Sequence, residues 1–228
     1  MSAGIFPFLG AVISIVAAFA LRTEGDWIMR LGDLGRSFLH PVGILVLVQT
    51  GYTAFLGLLW MRYRHFVAPE GAELPTVSVI IPAFNEGPMV ARSIRSAAKS
   101  DYPLDKLEII VVDDGSRDDT FFHMRHLRKE FPNLVRLVRF AGNRGKRAAL
   151  YEGFKAARGE IVVTIDSDSE VETTTVREMV VPFLADPKIG AVAGRVAVLN
   201  RDSFISRMLE VQYALAFDFG RAAQSVYR

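Results

Sequence analysis

The chain has 228 residues, half of them hydrophobic, with a formal net charge of +2 and no cysteine. That length leaves room for one ordinary domain and something more, and the lack of cysteine excludes a disulfide framework, which suits a cytosolic domain without proving one. So small a charge argues neither for nor against nucleic acid, and local basic clusters such as "NRGKR" at 143–147 say more than the total.

The apolar excess lies near the N-terminus. Residues 3–21 ("AGIFPFLGAVISIVAAFAL") and 41–61 ("PVGILVLVQTGYTAFLGLLWM") carry no charge. At roughly 1.5 Å per residue each run reaches about 30 Å, the thickness of a hydrocarbon core. The expectation is two transmembrane helices within a membrane region of residues 1–66. The first run has a rival reading: "AFA" at 18–20 has the small-x-small form of a signal-peptidase site. Against cleavage, no Lys or Arg precedes the run. Orientation is weakly marked, because Arg22, Arg30 and Arg36 between the runs are matched by Arg62 and Arg64 after the second.

Residues 67–75 ("VAPEGAELP") read as a polar linker, and a domain over 76–228 is expected beyond it. There the pattern alternates. Strands are expected at "TVSVIIPAF", "LEIIVVDD", "LVRLVRF", "EIVVTIDSD" and "IGAVAGRVAVL". Helices are expected near 88–99, 118–130, 145–157 and 173–185, with a long aromatic helical stretch from Phe204. Short apolar runs between helices of ten or more residues imply an α/β fold with a mostly parallel sheet. In such a sheet, ligands bind at the carboxyl ends of the strands.

Those ends are polar. They read "PAFNE" (82–86), "DDGS" (113–116) and "DSDSE" (166–170), with "GNRGK" (142–146) between the third strand and its helix. Each motif alone has a plain structural reading as a helix cap or a solvated turn. Together they point to a ligand, since carboxylates from three loops repel one another unless a cation or a donor-rich ligand sits among them. A nucleoside diphosphate joined to a neutral group fits. Asp168 would coordinate the ion, with Asp166 assisting or bonding the ribose or sugar. Lys146 and the amides near Gly145 stand at a helix start, a place suited to anions. Asp114, an acceptor only, suits a base edge such as the uracil N3–H. A metal and Lys146 fixed against the departing phosphate would lower the barrier electrostatically.

These residues resemble a family 2 glycosyltransferase with the GT-A fold. The resemblance runs from about Pro75 onward and rests on "VSVIIPAFNE", "IIVVDDGSRDDT", "GNRGKRAAL", "TIDSDSE" and "AVAGRVAVLN", in the family's order. "NRGKRAAL" followed by "DSDS" is closest to the processive branch of hyaluronan, chitin, nodulation chitooligosaccharide and, more distantly, cellulose synthases. The resemblance implies a UDP-sugar donor, Mg²⁺ or Mn²⁺, inversion at the anomeric carbon, and a saccharide or lipid-linked acceptor, with no nucleic acid among the partners. Carried onto this chain, Pro82, Ala83, Asn85 and Glu86 line the nucleotide pocket together with Asp113 and Asp114. Lys146 reaches the diphosphate, Asp166 the sugar-nucleotide and Asp168 the metal. Nucleotide sugars are cytosolic, so a cytoplasmic catalytic domain on a multi-pass inner-membrane protein is implied.

The family also carries a later acidic motif for the general base, a Gln-x-x-Arg-Trp motif and further membrane helices. No counterpart is found up to Arg228, so the expectation is a domain incomplete at its C-terminus. Two alternatives stay open: a donor-binding remnant without turnover, and transfer to a lipid phosphate.

Overall fold

The computed structural model describes residues 41–200 and 202–226. The chain divides into two compact units: residues 66–194, and a second unit joining residues up to 65 with those from 195 onward. The expected first transmembrane helix, 3–21, lies outside the described residues.

The 66–194 unit is a parallel sheet of four strands with helices on both faces. β1 (Val77–Ala83), β2 (Leu107–Asp113), β3 (Val135–Arg139) and β4 (Ile161–Thr164) stand in the order β3-β2-β1-β4, with Val79 opposite Ile109 and Val163. β1 is central and buried at every position, as its unbroken apolar run predicts for a strand covered on both faces. Alternate residues feed two cores. Val79, Ile81, Ile109 and Val111 meet α2 (Met89–Ala98) and α3 (Thr120–Glu130) on one face, while Ile110 and Val112 meet α4 (Lys146–Ala156) on the other. Gly153 lets α4 lie close on β1, because a Cβ there would come within 2.4 Å of the Ile80 side chain. A further helix, α5 (Thr175–Ala185), buries Val176 and Val180 in the first core.

Successive strands step from β1 to β2 to β3, and α4 then carries the chain back to β4 on the far side of β1. That reversal makes the carboxyl ends of β1 and β4 a topological switch point.

The other unit holds α1 (Pro41–Arg62), then α6 (Phe204–Tyr213), a π-helical stretch (Ala214–Arg221) and α7 (Ala222–Val226). Trp60 Nε1 donates to the Asp218 carbonyl at 2.9 Å, and Arg195 pairs with the Asp218 carboxylate at 2.9 Å. Within α1, Gly43–Arg62 has mean hydropathy 1.7 and no fully buried residue, so by length and composition it could cross a bilayer.

The expected fifth strand, 189–199, does not form. This stretch is irregular and largely exposed, and among the described residues the sheet stops at β4. Its β-branched residues favour a strand only where a neighbouring edge and a packed face receive them. The fourth strand is also shorter than "EIVVTIDSD", its ladder ending when Ile165 N donates to the Ile80 carbonyl at 3.0 Å.

Candidate functional site

An open cleft of about 330 Å³ lies at the switch point. Its walls come from the end of β1, the start of α4 and the turn after β4.

At the end of β1, Pro82 and Ala83 are buried and Glu86 reaches the cleft. The chain then turns sharply, and Asn85 takes a positive φ of 54°. Asn tolerates that region better than most residues. Asn85 does not line the cleft; its amide donates to Ser116 Oγ at 3.0 Å and its Oδ1 accepts from Arg117 N at 2.9 Å. The next two amides, of Glu86 and Gly87, both donate to Thr120 Oγ1 at 2.8 Å. Thr120 in turn donates to Asp118 Oδ1 at 2.5 Å. The hydrogen bond from Thr120, with others from the Thr120 and Gly87 amides, holds the Asp118 carboxyl below its usual range. Neither Asn85 nor Glu86 caps α2, whose first turn has no side-chain cap.

The two aspartates of "DDGS" do different work. Asp113 is fully buried and stands outside the cleft. Its Oδ1 accepts from Ser116 N at 2.9 Å, and Arg139 Nε lies 2.9 Å from Oδ2 as an ion pair whose N–H is not aligned as a hydrogen bond. Asp114 does line the cleft. Its two oxygens accept from the amides of Arg144 at 2.7 Å and Gly145 at 2.8 Å. These amides, expected to face an anion, are therefore bound to a carboxylate. The first N–H groups of α4, from Lys146 and Arg147, remain at the open end of the helix. Gly115, with φ 73°, makes the loop contact possible, since a Cβ there would fall 2.4 Å from the Gly142 carbonyl carbon.

Beyond β4, Asp166 and Asp168 are exposed on the cleft while Ser167 between them is buried. Lys146 Nζ donates to Asp166 Oδ1 at 2.7 Å. Among the described residues no three metal-ligating side chains converge. The site is thus no closed protein cage. Two exposed carboxylates suit an ion such as Mg²⁺ that keeps several ligands from substrate phosphates and water.

Of the residues read from the sequence, Pro82, Ala83, Glu86, Asp114, Lys146, Asp166 and Asp168 surround this one cleft, and Asn85 and Asp113 brace the loops behind it. Sequence reasoning missed Phe84, an aromatic side chain 39% exposed at the cleft, and Asn143. It also missed Thr120, whose buried hydroxyl ties two loops together. "PAFNE" carried the signal for Phe84, an aromatic residue where a strand emerges; nothing local marks Thr120.

The sequence pattern described as glycosyl transferase family 2 matches residues 78–225. The chain belongs to that family. An N-acetylglucosaminyltransferase of Rhizobium meliloti (strain 1021) is 34% identical over 165 residues, 70% of this chain and 38% of that protein. A beta-monoglucosyldiacylglycerol synthase of Trichormus variabilis is 32% identical over 172 residues, covering 74% of this chain and 36% of the relative. Among solved structures, the mannosyltransferase PcManGT from Pyrobaculum calidifontis, in complex with GDP-Man and Mn²⁺, aligns with a TM-score of 0.54. Its identity is 34%, over 64% of this chain and 44% of that one. This family 2 chain thus spans well under half the length of these curated relatives.

Proposed function

We propose that this chain is the donor-binding part of a membrane-anchored, inverting glycosyltransferase that moves a sugar from a UDP-sugar to a saccharide or lipid-linked acceptor. The observation that carries the reading is the single cleft gathering Glu86, Asp114, Lys146, Asp166 and Asp168 at the switch point of the sheet. Its support from outside is the family membership, together with the nucleotide sugar and Mn²⁺ named for the Pyrobaculum structure.

The roles follow from chemistry and position. Phe84 offers a ring face on which a base stacks. Asp114 has lone pairs beyond the two given to backbone amides, and they accept the N3–H of uracil. A carboxylate would equally accept the N1–H and N2–H of guanine, so the test runs both nucleotides. Lys146 turns from Asp166 to the diphosphate and neutralises charge as it grows on the departing phosphate. Asp168, with Asp166 beside it, would hold Mg²⁺ or Mn²⁺, which when bound supplies further positive charge to that leaving group. Helix α1 would anchor the chain in the inner membrane. The domain would face the cytoplasm, where nucleotide sugars are.

Calorimetry on the full chain with UDP and GDP, each with and without Mn²⁺, tests this reading. Tighter binding with the metal is expected, and Asp168→Asn should remove the gain. Metal-independent binding, or an Asp168→Asn variant that keeps the gain, would sink it. Incubation with radiolabelled UDP-N-acetylglucosamine and UDP-glucuronate, with acceptor present, then asks for product above the enzyme-free control.

A further inference from the structure

Helix α2 holds the turn that carries Asp166 and Asp168. Among the described residues β4 is a four-residue edge strand, and past Ile165 no ladder supports the chain. Support comes from the side. Ser93 Oγ donates to the Ser167 carbonyl at 2.7 Å, the residue between Asp166 and Asp168. One turn along, Ser96 Oγ accepts from Val171 N at 3.1 Å and donates to the Ser93 carbonyl at 2.9 Å. Arg92 adds an ion pair to Glu170 at 2.5 Å, more than half exposed on the arginine side and therefore weak.

The choice of residue is informative. Ser93 is fully buried, and the same helix fills neighbouring buried positions with Ala91, Ala97 and Ala98. Alanine is the better helix former and packs as well. Serine stands where a hydroxyl meets the turn.

We infer that Ser93 and Ser96 are positioning residues that fix the Asp166–Asp168 turn in the shape both carboxylates need to act on one diphosphate-bound cation; this rests on the nucleotide-sugar reading above. A turn with exposed aspartates and no ladder would otherwise sample many shapes, and an ion held by only one or two carboxylates is sensitive to their placement. Residues that orient metal ligands typically cost about 10- to 100-fold in metal affinity when removed. Ser93 fixes the Ser167 carbonyl and Ser96 the Val171 amide, so together they bracket the segment on both sides of Asp168.

The test uses the full chain as wild type, Ser93→Ala, Ser96→Ala and Ser96→Thr, the last keeping the hydroxyl. Two quantities are read: nucleotide affinity with Mn²⁺ against affinity in chelator, and amide exchange at Val171 without ligand. In both alanine variants the Mn²⁺-dependent affinity should fall by about tenfold or more, while binding in chelator stays unchanged. Val171 exchange should quicken in Ser96→Ala, and Ser96→Thr should behave as wild type in both measurements. Should Ser93→Ala fail to fold, the Ser96 pair carries the comparison. Alanine variants that match wild type, or that lose affinity equally with and without metal, overturn the inference and leave the nucleotide-sugar reading intact. A wild type whose binding ignores Mn²⁺ overturns that reading instead, and Val171 exchange then reports separately whether α2 holds the turn.

Discussion

Lys146 and Asp166 meet at 2.7 Å, yet both side chains are well over half exposed, at 59% and 60%. A pair so open to solvent contributes about 0–1 kcal/mol to stability. Its value lies in exchange: the same ammonium that bonds a carboxylate can bond a phosphate. Lys146→Met should therefore leave the melting temperature almost unchanged. Loss of one charge-assisted bond should cost about 1.5–3 kcal/mol of UDP binding, while uridine, without phosphates, binds as before. Equal losses for UDP and uridine in calorimetry would count against the role. Gly115 makes the opposite case. Its φ of 73°, and the mere 2.4 Å that would separate an added Cβ from Gly142, leave no room for a side chain. Gly115→Ala should cost more than about 1 kcal/mol, read as a fall in the urea midpoint. It should also loosen the clamp of Asp114 on Arg144 and Gly145. The carboxylates of the cleft could be read from the sequence because they stand where strands stop. The split between Asp113 as brace and Asp114 as cleft wall could not, since only the pleat and the packing decide which of two adjacent side chains turns inward.

At the scale of elements, the sheet was legible where strands are buried on both faces. β1 and β2 are continuous apolar runs, and their spacing allows little but βαβ units. The stretch 189–199 looked similar but joins no strand ladder among the described residues, so propensity alone misled there. Contacts between loops and helices, such as Thr120 with Glu86 and Gly87, were illegible because they join residues over thirty positions apart. The end of the sheet away from the cleft has a comparable knot. Burial would raise the Glu108 carboxyl, but bonds from Ser78 Oγ, Arg136 and the Arg158 amide outweigh it and hold the group below its usual range. A carboxyl depressed on folding adds stability that is complete above its unfolded value of about 4.3. That stability drains away as the pH falls through the lower folded value. Urea titrations from neutral pH downward should show the wild type losing stability through this window. Glu108→Gln should be less stable at neutral pH and show a shallower acid-side loss. Parallel curves for the two proteins would reject the account.

For the whole molecule, the question is what surrounds α1. Leu45, Val48 and Leu58 are each more than half exposed, and Gly43–Arg62 has no buried share. So much exposed apolar surface along a 20-residue helix is unfavourable in water and favourable in hydrocarbon. Thr53 within it is compatible with that setting, since its Oγ1 donates to the Gln49 carbonyl at 2.8 Å and needs no water for this bond. The absence of cysteine allows a direct measurement: single cysteines can be placed without removing any other. In vesicles holding the full chain, Ala54→Cys near the middle of α1 should resist a water-soluble maleimide until detergent is added. Val67→Cys, 79% exposed just past the helix, should react at once. The contrast does not depend on the apolar run at 3–21, because each label reports only its own surroundings. Equal reactivity at both positions would mean that α1 meets water along its length, and the membrane anchor would have to be given up.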